Sequence, residues 1–179
     1  MREFLIFGLK QARACVFAGS FFALLFLSNH LPLLGLYRYD FLFISAILIQ
    51  AILYFTGLET KDEVKTIFLF HIIGFTLEAF KTHPLIGSWS YPEPGLFKIF
   101  NVPLYSGFMY AAVGSYIAQA WRILKLELKE PPSYVWSVVL CMLIYLNFFT
   151  NHFVPDLRLL LIPAVFLFFF FFFLNSRNS

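Results

Sequence analysis

Glu78 and His71 are the residues best placed to do chemistry, because both interrupt an otherwise apolar stretch covering residues 66–80. An ionisable side chain inside hydrocarbon costs at least a few kcal/mol, so it faces a bundle interior or a water-filled cavity. Counted from Thr66 at 1.5 Å per residue, Glu78 lies about 18 Å along a helix, more than halfway across a bilayer core. His71 precedes it by seven residues and shares its face. The gap of about 10 Å is too long for a direct hydrogen bond. Gly74 falls between them on that stripe and leaves room for a backbone, a water or a ligand. Glu78 therefore reads as a proton donor, a proton relay or a cation ligand, or else as a structural residue bonded to a neighbouring helix. His71 alone reads first as an interhelical hydrogen-bond donor, and beside Glu78 as its catalytic partner.

The chain after Glu78 supplies candidate binding residues. Pro84 turns His83 away from helical geometry, which ends the helix there. The run Gly87-Ser88-Trp89-Ser90-Tyr91-Pro92-Glu93-Pro94-Gly95 then forms a turn-rich segment. Trp89 and Tyr91 have apolar bodies and polar tips suited to a membrane interface. They are either interfacial anchors or part of a lid over whatever Glu78 serves. Tyr105, Ser106 and Tyr110 lie further on and offer hydroxyls to the same region, while Gly107, Ala111 and Ser115 repeat every four residues, a small-residue pattern for close helix packing.

Familiar catalytic motifs are missing: the sequence holds no HExxH, GxSxG, P-loop or GxGxxG. No cofactor and no metal is expected. His30, His83 and His152, with Asp40, Glu93 and Asp156, could meet around a metal only if folding gathered them. Cys15 and Cys141 lie far apart in apolar stretches and read as packing residues.

The elements that must position these groups follow from composition. Of 179 residues, 60% are hydrophobic and only 13% charged, with 26 Phe and a mean hydropathy of +0.79. Soluble domains average about 25% charged residues. A soluble domain of this length could not hide so much apolar surface. Soluble enzymes, disordered tails and duplex-DNA modules are thereby excluded, and a net charge of +3 is too mild for nucleic acid. The expected class is all-α, a bundle of about six transmembrane helices in one domain. Charge-free intervals place the spans near 14–37, 41–58, 66–80, 103–121, 133–150 and 159–174. Pro103 is expected in the first turn of the fourth. The first span is too long, and lacks the cleavage site, to be a signal peptide.

Cations set the orientation. Arg2, Lys10, Arg13, Lys61, Lys65, Arg122, Lys125, Lys129 and Arg177 fall on one side, against Arg38, Lys81, Lys98 and Arg158 on the other. Both termini are therefore expected in the cytoplasm, in an inner-membrane protein. The expected partners are the bilayer and a hydrophobic small molecule, with self-association left open.

Two further patterns stand out. Ser28-Asn29-His30 closes the first span and Thr150-Asn151-His152 the fifth, a faint repeat matching helices one and two to five and six. The blocks Arg38-Tyr39-Asp40-Phe41 and Thr56-Gly57-Leu58-Glu59-Thr60, with residues 71–95 and 102–121, resemble the bacterial integral membrane family catalogued as domain of unknown function 817. The resemblance runs to about Leu161. It implies a polytopic inner-membrane protein and carries over no catalytic residue. Members of that family are longer, with a second segment like the Glu78–Pro92 block and about eight helices. Phe168 to Phe173 and the closing 170–179 segment depart from that pattern, as an out-of-frame remnant would.

Three functions fit these residues. One is an intramembrane enzyme acting on a prenyl, polyene or other lipid, with Glu78 as general acid. Another is a transporter or channel with a polar path at His71 and Glu78. The third is a membrane scaffold.

Overall fold

Apolar runs with few breakers give helices, and the breakers decide where they stop. The computed structural model describes residues 1–127 and 133–178, with side chains to residue 170. It is all-α apart from one two-stranded hairpin. The helices are α1 (Arg2–Ala14), α2 (Val16–Leu27), α3 (Arg38–Phe55), α4 (Lys61–Thr82), α5 (Ser106–Leu124), α6 (Tyr134–Thr150) and α7 (Arg158–Asn178). The strands are β1 (Lys98–Ile99) and β2 (Val102–Pro103), paired antiparallel. Lys129 and the Pro131-Pro132 step lie outside the described residues.

The chain divides into two units, Met1–Leu126 and Glu127–Ser179. In the first, α4 and α5 form the most extensive helix pair, flanked by α1, α2 and α3. Its core joins Phe17 and Phe21 of α2, Leu42 and Ala46 of α3, Ile67 of α4, and Phe108, Ala111 and Ala112 of α5. The second unit is the α6–α7 pair. There the Asn147 amide donates to Asp156 Oδ1 at 3.1 Å and its carbonyl accepts from the Leu157 backbone at 2.8 Å. Arg158 beside Asp156 holds that carboxyl well below the usual carboxylate range.

Several boundaries differ from the sequence expectation. The helix expected over 14–37 is Val16–Leu27 alone, and turns follow from Ser28. Ser28 Oγ donates back to Leu25 O at 2.8 Å and accepts from Arg38 Nε, while Pro32 keeps the chain from resuming a helix. Residues 2–14 form a helix of their own, seated on α5 partly through a 3.1 Å bond from Tyr116 Oη to Gln11 Oε1. The fourth helix starts at Ser106, because Val102 and Pro103 pair with the β1 strand. Phe100 and Asn101, at φ 53° and 63°, make the two-residue turn of that hairpin.

The third helix begins at Lys61, five residues earlier than the 66–80 interval, because Thr60 and Glu63 form a capping box. Glu63 Oε2 accepts from the Thr60 backbone at 2.7 Å, and the Thr60 hydroxyl accepts from the Glu63 backbone at 3.3 Å. The helix also runs two residues past the expected end, to Thr82, so Glu78 lies one turn before its end.

Among the described residues, α3 is the one single helix long and apolar enough to cross a bilayer, while α1 and α2 pass the same test together, bent by 62°. Helix α6 and the Arg158–Phe170 part of α7 are shorter apolar helices.

Candidate functional site

Glu78 is 3% exposed and takes hydrogen bonds from three side chains. Trp89 Nε1 donates to Oε2 at 2.9 Å, Tyr91 Oη to Oε2 at 2.7 Å, and Tyr110 Oη to Oε1 at 2.8 Å. Tyr110 reaches it because Gly74 lacks a side chain: a Cβ there would lie 2.4 Å from the Tyr110 ring. The ring thus fills the space between His71 and Glu78 that the sequence left open. Burial, then the bond and charge of Glu78, push the Tyr91 phenol above its ordinary value, so it stays a donor.

These bonds tie α4 and α5 to the 83–105 segment, and α3 fastens that segment a second time. Asp40, 1% exposed, accepts from the Leu96 and Phe97 backbone N–H groups at 2.8 and 2.9 Å. Arg38 pairs with Glu93 at 2.8 Å, and Lys98 Nζ donates to the carbonyls of Tyr91 and Glu93. Tyr105 contributes by ring packing, 5.3 Å from Tyr39 and 6.3 Å from Tyr91 between centroids. His83 is exposed and caps its own turn, its Nδ1 accepting from the Leu85 backbone at 3.3 Å. Of the predicted residues, Glu78, Trp89, Tyr91 and Tyr110 therefore form one cluster, Tyr105 adjoins it, and His83 and His71 stand apart. Asp40 and Glu93 are committed to backbone groups and to Arg38, so they do not gather around a histidine. Among the described residues no group of three His, Cys, Asp or Glu side chains could hold a metal.

Another buried carboxylate, Glu59, was not singled out from the sequence. Glu59, 2% exposed, ends the loop between α3 and α4. Its Oε1 accepts from Ser115 Oγ at 2.9 Å and Gln119 Nε2 at 2.8 Å, and its Oε2 accepts from the Gln50 amide. Burial pushes the Glu59 carboxyl up, against the pull of those bonds. Its neighbour Glu63 is buried too, but the Arg122 guanidinium and Thr60 hold it below the usual carboxylate range. Arg122 donates to both Glu63 oxygens, at 2.7 and 3.1 Å. The available signal was Ser115 and Gln119, four residues apart in an apolar helix and hence on one face.

Between α3 and α4 lies an apolar cleft of about 390 Å³. Its walls are Phe43, Ile47, Gln50, Ala51, Tyr54 and Phe55 of α3, Val64, Ile67, Phe68 and His71 of α4, and Phe108 of α5. The rim residues Ile47, Tyr54, Phe55 and Phe68 are exposed, so the cleft opens on the surface of the helix pair. His71 packs against Phe108, with ring centroids 4.4 Å apart. Gly107 presses on it so closely that a Cβ would come within 2.6 Å of its carbonyl oxygen. His71 Nδ1 and Gln50 Oε1 are both buried without a hydrogen-bond partner. Such orphans are uncommon in folded proteins and call for an explanation.

The profile of the family described as "Protein of unknown function (DUF817)" matches residues 3–176. The chain belongs to the DUF817 family. It is similar to the uncharacterized protein YoaT of Bacillus subtilis (strain 168), at 53% identity over 158 residues, covering 88% of this chain and 59% of that relative. It thus spans about three fifths of the relative's length. No solved structure matches the chain. Neither the DUF817 family nor YoaT brings a chemistry with it, so the function has to be argued from the residues.

Proposed function

We propose that this chain is a six-span inner-membrane protein with both termini cytoplasmic, and that it binds and acts on a hydrophobic molecule of the prenyl, polyene or lipid class in the α3/α4 cleft. The cleft itself carries the reading. It is apolar, of ordinary ligand-pocket size at about 390 Å³, and its wall holds one imidazole, that of His71. His71 is the group that would bind or move a proton at the ligand. A lipid surround also accounts for large side chains standing exposed on otherwise apolar helices, such as Phe55, Phe68, Trp136 and Met142.

Glu78 takes a different part. Three donors occupy its carboxylate, two of them from the 83–105 segment, which supports a latch that fixes this segment rather than a group that gives a proton away. A polar path from His71 to Glu78 would have to cross Gly74, where the Tyr110 ring is packed. The geometry therefore favours the ligand cleft over a transport path.

Lipid extracts from wild-type, deletion and His71→Phe strains test this. At least one hydrophobic species is expected to accumulate or vanish in the deletion strain, with His71→Phe failing to restore it. Identical lipid profiles in wild type and deletion overturn the reading.

A further inference from the structure

The β1–β2 hairpin reverses the arrangement expected of a sheet edge in water. Leu96, Phe97, Ile99 and Phe100 are exposed, Leu96 at 76% and Phe100 at 82%. Lys98, the one charged residue between Leu96 and Pro103, turns inward instead. Its Nζ donates to the carbonyls of Tyr91 at 2.9 Å and Glu93 at 3.2 Å, and stands 5.6 Å from the centre of the Tyr39 ring. Strands at a water-facing edge point their charges outward, Lys above all, which keeps the edge soluble. Val102 and Pro103 of β2 are buried, so the four exposed side chains form the outer face of the hairpin. The Asn101 amide is the exposed polar group at its turn.

Helix α3 fixes the depth of this face. Asp40, in its first turn, accepts from the Leu96 and Phe97 backbone, and one turn further in the Phe43 ring packs 5.3 Å from that of Phe97. Helix α3 is the single helix among the described residues long and apolar enough to cross a bilayer. Its 18 residues cover about 27 Å of a hydrocarbon core roughly 30 Å thick. The hairpin therefore runs alongside the first two turns of that helix.

We infer that residues 96–101 are a lipid-inserted hairpin, whose Leu96, Ile99 and Phe100 side chains enter the boundary between head groups and acyl chains in the leaflet at the α3 N-terminus. This rests on the reading of α3 as a membrane span. Contiguous exposed apolar surface marks a membrane or a protein contact, and the depth selects lipid. Ile47, one turn beyond Phe43 on the same face of α3, is exposed as well, so the apolar surface continues from the hairpin along the helix. A non-helical segment at this depth needs its backbone answered from within the protein. Asp40 takes two N–H groups, Lys98 satisfies two carbonyls, and Leu104 N donates to Phe97 O at 2.9 Å. Ile99 and Val102 pair across the hairpin. Because Lys98 faces inward, the outer face carries no charge, and a zwitterionic lipid is a sufficient partner. Lipid thus holds from outside the 83–105 segment that Glu78 and Asp40 fasten from within.

The test uses the full chain in phosphatidylcholine nanodiscs, carrying Cys15→Ala and Cys141→Ala. A nitroxide is attached in turn to the thiol made by Ser90→Cys, Leu96→Cys, Phe100→Cys or Leu48→Cys. Relaxation by oxygen, which concentrates in lipid, is compared with relaxation by a water-soluble nickel chelate. The oxygen-to-nickel ratio is expected to rise from position 90 through 96 and 100 to position 48 on α3. A ratio at 96 and 100 no higher than at 90 places the hairpin in water and overturns the inference. Shielding of 96 and 100 from both reagents overturns it too, because a second copy or another protein segment then covers the face. A nickel-dominated signal at position 48 overturns the α3 span and the inference with it. Wild-type protein decides the matter if a variant is unstable. Phosphatidylcholine bearing a diazirine at the head of its acyl chain is expected to label residues 96–100 more heavily than a water-soluble diazirine does, and the reverse order overturns the inference.

Discussion

Two buried carboxylates, at opposite ends of the α4–α5 pair, each accept at least three side-chain hydrogen bonds, and the donors differ in kind and in place. At the Glu78 end the donors are a tryptophan and two tyrosines, two of them on the 83–105 segment, and Trp89 is 42% exposed. At the Glu59 end the donors are two amides and a hydroxyl, all on helices, and Gln119 and Ser115 are almost wholly buried. The first arrangement fastens a covering segment to a helix end. The second fixes the orientation of a side chain that lines a cavity. Counting donors does not separate a latch from a positioning residue. What separates them is where the donors stand, two on the 83–105 segment at one end and all on helices at the other.

Both ends depend on the close approach of α4 to α5, so the largest effect should come from preventing it. Gly74→Leu must displace the Tyr110 ring, whose atoms lie 2.4 Å from where the new Cβ would stand; overpacking and loss of the Tyr110 bond to Glu78 together should cost about 3–6 kcal/mol. Thermal unfolding of the detergent-solubilised protein should show a fall in Tm larger than for any variant named below.

Removing the carboxylates one at a time sharpens the contrast. Glu59→Ala strands several buried donors and should cost about 2–4 kcal/mol, since each unsatisfied group costs about 1–3 kcal/mol. Glu78→Ala should cost less, about 1–2 kcal/mol, because Trp89 can turn to solvent. Denaturant titration of both variants gives the order, and the reverse order would break the distinction.

Acidity offers an independent probe within the Glu59 end. The folded state raises the Glu59 carboxyl above its ordinary value of 4.5, so its contribution to stability is complete below that value and declines as pH rises through the folded one. Glu63 is lowered, so its contribution is complete above 4.5 and is lost on acidification. Glu59→Gln should therefore flatten the loss of stability above pH 4.5, whereas Glu63→Gln should flatten the loss below it. Melting curves across pH read both slopes. The smallest effect belongs to Trp89→Phe, which removes one partly exposed bond worth about 0.5–1.5 kcal/mol and should appear mainly as faster hydrogen exchange over residues 88–96.

Much of the Glu78 end was legible in the sequence, because a carboxylate in an apolar run, a proline-bounded turn segment and nearby tyrosines all declare themselves by type and spacing. The Glu59 end was not. Glu59 reads as the polar boundary of a span, and Gln50 and Gln119 are uncharged, so the charge-free intervals pass straight over them. Only the folding of the 56–60 turn brings them together. Boundaries went astray for a similar reason. The capping box at Thr60 and the hairpin turn at Phe100-Asn101 are local hydrogen-bonding and backbone effects, and an apolar count does not register them. The apolar count did recover α6, expected at 133–150 and found at Tyr134–Thr150, where no such device intrudes.

The central claim is that the ligand sits in the α3/α4 cleft and that Glu78 lies outside it. Saturation binding of radiolabelled farnesol to the wild type, Ala51→Trp and Glu78→Gln proteins in nanodiscs tests it most directly. Ala51→Trp should abolish binding by filling the cleft, while Glu78→Gln should retain affinity within about threefold of wild type. Binding that survives Ala51→Trp but is lost in a folded Glu78→Gln protein would contradict the account.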